Sequence, residues 1–102
     1  MKSKLCLDKA TKKYMKKVGD NLRCARLRAK LSQFDLAKEV GLTQIHISRL
    51  EWGDQQLKLG VLYKLCKILN VMPQEMVDPT IDGRFWVRRI QEKGGGTEYF
   101  RK

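Results

Sequence analysis

The sequence has no apolar run approaching the ~20 residues of a membrane span. Leu5-Cys6-Leu7, behind a Lys-rich start, is too short for a signal-peptide core. Cysteine is limited to Cys6, Cys24 and Cys66, widely spaced and with no Cys-x-x-Cys pair. That set argues against a disulfide framework or a structural zinc site and suits a reducing cytosol. The lone histidine, His46, has no orienting third group or pocket that would make a dyad with a cysteine catalytic. Internal repeats are absent. No cofactor or metal is expected, and the chain reads as non-enzymatic.

What is abundant is positive charge. Over 102 residues, 22 Lys and Arg face 11 Asp and Glu, a net charge of +11. An apolar content of 42% is too high for full disorder. The length suits one domain. Such an excess points to a polyanion, either nucleic acid or an acidic membrane surface. The charge is uneven. Residues 1–18 hold seven Lys and one Asp, residues 19–78 nine basic and seven acidic groups, and residues 79–102 six basic and three acidic. The expected organisation is therefore a basic extension (1–18), a folded domain (19–78) and a basic tail (79–102).

Helical periodicity dominates up to residue 80. Leu7, Ala10, Tyr14, Val18, Leu22, Ala25 and Ala29 form a weak amphipathic stripe. Gly19 interrupts it, so one long helix and an arm joined to a shorter helix both fit. Ser32 predicts an N-cap for a helix ending at Gly41. Thr43 predicts a second N-cap for a helix over 44–51, stopping before Gly53. Leu59, Leu62, Leu65, Cys66 and Leu69 mark a fourth helix ending at Asn70. Pro73 opens a fifth, to Val77. Cys66 is expected to be a small buried hydrophobe. A membrane-surface helix at 1–18 is disfavoured, because the segment has no Trp or Phe.

The second and third helices lie close enough for a helix-turn-helix. Ala37, Gly41 and Ile47 permit the tight crossing, and Leu36, Val40, Leu42 and Leu50 supply shared core. Gln44, Ile45, His46, Ser48, Arg49 and Trp52 are left facing outward. Gln pairs bidentately with adenine and Arg with guanine.

With Arg26, Leu31-Ser32-Gln33, Leu36-Ala37, Gly41, Ile47-Ser48, Leu50-Glu51 and Gly53, residues 19–78 resemble the phage-repressor/Cro (Xre) family of helix-turn-helix domains. The resemblance implies an all-α, five-helix, lambda-repressor-like fold that binds double-stranded DNA. It implies base contacts from Gln44, Ile45 and Arg49. Backbone contacts would come from Gln33, Thr43, His46, Ser48 and Trp52, with Arg26 and Glu51 a structural ion pair. The third helix would enter the major groove, and a homodimer would read a palindrome. A cytoplasmic transcriptional regulator, nucleoid-associated when bound to DNA, is the expected function. An antitoxin-like module binding a partner protein through its tail and autoregulating through DNA is the alternative.

The sequence departs from the family at four places. Lys30 stands where Gly is usual, Leu57-Lys58 replaces Pro followed by Ser or Thr, Gly60 occupies a helical position, and Trp52 replaces a polar residue. In the tail, Phe85-Trp86-Val87 and Tyr99-Phe100 flank Gly94-Gly95-Gly96. A hairpin and a helix over 82–93 both fit, with a dimer contact as one role.

Overall fold

The structure is a computed structural model and describes residues 8–81. Five helices follow in order: α1 (Lys9–Arg28), α2 (Gln33–Val40), α3 (Gln44–Trp52), α4 (Leu59–Leu69) and α5 (Pro73–Met76). Among the described residues there is no strand. This is the all-α, lambda-repressor-like arrangement that the periodicity and the resemblance predict. The tail alternatives, the tail dimer contact and Cys6 lie outside the described residues.

The helix starts are chemical. The Asp8 side chain accepts from Thr11 N at 2.8 Å, Ser32 Oγ from Asp35 N at 2.9 Å and Thr43 Oγ1 from His46 N at 3.1 Å. Each satisfies an amide that the helix itself leaves without a partner. Hydrogen bonding from Thr11, its side chain first and its backbone N–H second, also lowers the Asp8 carboxyl from its usual range. At α4 the departure at Lys58 has a visible consequence, since this N-cap makes no side-chain capping bond. Gly41 closes α2 at φ 79° in the left-handed region. A Cβ there would meet nothing, so backbone conformation alone requires the glycine. Lys30 makes the preceding turn at φ 63°. The turn is therefore the left-handed one, adopted by a residue with a Cβ and at an energetic cost.

Gly19 does not interrupt α1. The helix runs through it from Lys9, so of the two arrangements left open for the N-terminal segment it is the long helix that forms. A Cβ on Gly19 would lie 2.6 Å from the Leu50 carbonyl oxygen and closer still to that of Glu51. The glycine lets α1 and the end of α3 touch backbone to backbone. One turn earlier, a Cβ on Gly53 would lie 2.7 Å from Lys16 Cα, and Gly53 itself sits at φ 79°. Two glycines thus set how α3 lies on α1.

The core joins all five helices. It comprises Val18, Leu22 and Ala25 of α1, Leu36, Ala37 and Val40 of α2, and Ile47 and Leu50 of α3, closed by Leu65, Cys66, Leu69, Val71 and Met76. Each large aliphatic buried here contributes about 1.5–3 kcal/mol relative to exposure. Cys66 is fully buried, as expected, and burial pushes its thiol up to about 12. Asn21 is a buried polar exception at 1% exposure. Its Nδ2 donates to the carbonyls of Met76 and Asp78, at 2.9 and 3.0 Å, and ties α1 to the end of α5.

Candidate nucleic-acid interface

The apolar spacing of α3 turns Ile47, Leu50 and Glu51 inward. At 100° per residue, Ile45, Arg49 and Trp52 then share the opposite face. Gln44, Ile45, Arg49 and Trp52 are exposed, as is Thr43. His46 and Ser48 are half-buried at the edges of that face, so the sequence expectation of largely outward residues is met less fully there. Ile45 is 64% exposed, an aliphatic side chain standing in solvent.

Behind this face is a hydrogen-bonded chain. Arg26 Nε donates to Glu51 Oε2 at 2.6 Å, and Arg26 Nη2 to Glu51 Oε1 at 3.2 Å. Both side chains are buried, at 9% and 3% exposure. Arg26 Nη1 donates to the Leu31 carbonyl at 2.8 Å. One guanidinium therefore fixes the α1–α2 turn and the end of α3 together. Its bidentate fork suits a carboxylate in geometry as well as charge.

Glu51 Oε1 also accepts from Gln33 Nε2 at 3.0 Å. An ionised carboxylate only accepts, so it determines which end of the Gln33 amide faces it. Gln33 Oε1 is thereby turned toward Gln44, whose Nε2 lies 3.5 Å away. That distance is longer than the roughly 2.7–3.2 Å of a well-formed N–H···O bond. The order from inside to outside is Arg26, Glu51, Gln33, Gln44. The family resemblance implies a role for each of these four residues, and the structure adds the directed chain that joins them.

Trp52 lies at the other end of the face, 63% exposed. Lys16 Nζ sits 4.7 Å from the centre of its ring, a cation–π distance. The sequence did not signal this pairing. It follows from Gly53, which brings the α1 backbone against the end of α3. Lys9, Lys12, Lys13 and Lys16 fall within about 100° of one another around α1 and form one basic stripe.

The helix-turn-helix family model matches residues 22–76, more than half of the chain. The chain belongs to this family. Among its relatives, an uncharacterized HTH-type transcriptional regulator, y4dL of Sinorhizobium fredii (strain NBRC 101917 / NGR234), is 39% identical over 54 residues. That match covers 53% of this chain and 28% of the relative. Control protein C.BamHI of Bacillus amyloliquefaciens is 35% identical over 66 residues, 64% of this chain and 82% of the relative. Family membership makes residues 22–76 a DNA-binding domain of the phage-repressor/Xre type, and the family is generally non-enzymatic. Among the described residues, no helix is long and apolar enough to cross a membrane, and no group of metal-ligating side chains assembles.

Proposed function

We propose that this protein is a sequence-specific transcriptional regulator. It inserts α3 into the major groove of double-stranded DNA, as a homodimer on a palindromic operator. The observation that carries this reading is the chain from Arg26 through Glu51 and Gln33 to Gln44. It is a positioning device with a buried inner half, Arg26 and Glu51, and its exposed outer end is a side chain suited to reading adenine. Gln44 can give one amide hydrogen to Gln33 and the other to adenine N7, and accept from adenine N6 through its Oε1. Ile45 meets a thymine methyl, and Arg49 reads guanine O6 and N7.

Phosphates are held by Gln33, Thr43, His46, Ser48 and Trp52. The Thr43 hydroxyl accepts from His46 N as a cap, which leaves its own proton free to donate to a phosphate oxygen. The lysine stripe of α1, continuous with Trp52 through Lys16, adds grip without sequence preference. The core reader of residues 19–78 carries only +2 of the charge. Specificity therefore rests on a few placed side chains, and the flanks supply affinity.

In a dimer of this type, two recognition helices lie about 34–36 Å apart on one face of DNA. Selection of bound sites from random duplex DNA, at fixed salt, tests the whole reading. A two-fold symmetric site with an adenine and a guanine in each half is expected. Uniform binding of all sequences would leave a charge-driven binder. A non-palindromic site, with a monomer in sedimentation, would remove the homodimer.

A further inference from the structure

An apolar groove of about 320 Å³ runs between α1, the loop before α4, and α4 itself. Tyr14, Met15, Val18, Leu57, Leu62 and Val77 line most of it. It is separate from the outward face of α3, since Ile45 and Arg49 do not line it, although Leu50 on the inward side of α3 does. Val77 is one wall, and its carbonyl accepts from Tyr14 Oη at 2.6 Å. Asn21 then holds the Asp78 carbonyl against α1, and Ile81 packs on the core. The chain is thus tied beside the groove when it reaches residue 82.

The residues that follow carry large apolar side chains close to that point. Phe85, Trp86 and Val87 begin four residues beyond Ile81, after Asp82-Gly83-Arg84. Four residues reach at most about 13–14 Å, and eight from Val77 about 26–29 Å. A tethered segment this short meets a neighbouring groove at an effective concentration in the mM range. We infer that Phe85-Trp86-Val87 docks intramolecularly in the groove between α1 and α4 and completes the core there, apart from the outward face of α3. The occupant is this chain's own segment rather than a second copy, because the last anchored residues already form the groove's edge.

Fluorescence tests this in the full chain. The Trp52→Phe variant leaves Trp86 as the only tryptophan. Its emission is expected to be blue-shifted, and quenching by acrylamide reduced severalfold, relative to the same chain in denaturant. Both effects should be independent of protein concentration and lost on adding Leu57→Lys. Emission equal to that of the denatured chain overturns the inference. So does a blue shift that depends on concentration, which would place Trp86 in a second copy, or one that survives Leu57→Lys with helicity retained. Should Leu57→Lys unfold the chain, methyl NMR decides. The Leu57, Leu62 and Val77 methyls are expected to carry ring-current shifts that vanish in Trp86→Ala. Unchanged shifts overturn the docking. Neither readout depends on DNA binding.

Discussion

Gln33 Nε2 lies 3.0 Å from Glu51 Oε1, and that single bond decides which way the Gln33 amide points. Because the carboxylate accepts only, Gln33 must present its oxygen to Gln44. Replacing Gln33 by Ala is expected to leave the fold intact and to weaken specific binding by about 1–3 kcal/mol, concentrated at the adenine. A double-mutant cycle with Gln44→Ala checks it. The two losses should be non-additive, as for residues in one hydrogen-bond network.

The Arg26–Glu51 pair separates stability from positioning. Glu51→Ala leaves a buried guanidinium without its carboxylate and is expected to cost roughly 3–5 kcal/mol in denaturant unfolding. Replacing both partners together by apolar residues, Arg26→Met with Glu51→Leu, should recover most of that loss. Discrimination at the adenine should not recover, because Gln33 then has no acceptor to orient it. Full recovery of specificity in the double variant would show that the pair serves the fold alone.

Gly19 and Lys30 give opposite outcomes to those that helix propensity suggests. Gly19→Ala should gain up to about 1 kcal/mol from propensity alone. Contact with the Leu50 and Glu51 carbonyls instead predicts a net loss, read as a lower Tm. Lys30→Gly releases a left-handed non-glycine residue and should stabilise by roughly 0.5–1 kcal/mol, after the entropic cost of glycine is subtracted.

Cys66 predicts a pH dependence. Its thiol ionises from the ordinary value of 9.0 when unfolded and at about 12 when folded. The unfolded state therefore releases this proton first. The contribution to stability is complete below pH 9 and is lost as pH rises toward 12. Comparing wild type with Cys66→Ala by denaturant unfolding across that window should show the extra slope in wild type only. A thiol reagent should label Cys66 at the rate of unfolding, while Cys24, half-buried, reacts sooner.

The parts of this fold legible in the sequence are those written in local chemistry. Ser32, Thr43, Gly41 and Asn70 each mark a helix end by their own side chain or backbone freedom, and all four ends are where the pattern puts them. Ala37, Ile47 and Leu50 are buried as their spacing requires. Local pattern fails where a distant element gives the residue its role. Gly19 looks like a helix breaker until α3 is placed against it. Asn21 looks like an exposed polar residue until the carbonyls of Met76 and Asp78 arrive, 55 and 57 residues later. Lys16 and Trp52 are paired only by the approach at Gly53. The candidate reading residues follow from helix spacing together with the family resemblance, but the direction of the Gln33 amide is set by Glu51, which only the fold brings beside it.

The central claim is that Gln44 and Arg49 read bases while the lysines of α1 only hold phosphate. Binding measured over a salt series, on a selected site and on unrelated duplex, tests it most directly with Gln44→Ala, Arg49→Ala and Lys12→Ala/Lys13→Ala. The reading variants should each lose about 1–3 kcal/mol on the selected site and little on unrelated DNA. The lysine variant should weaken both duplexes alike and flatten the salt dependence. Equal losses on both duplexes for Gln44→Ala and Arg49→Ala would contradict the account.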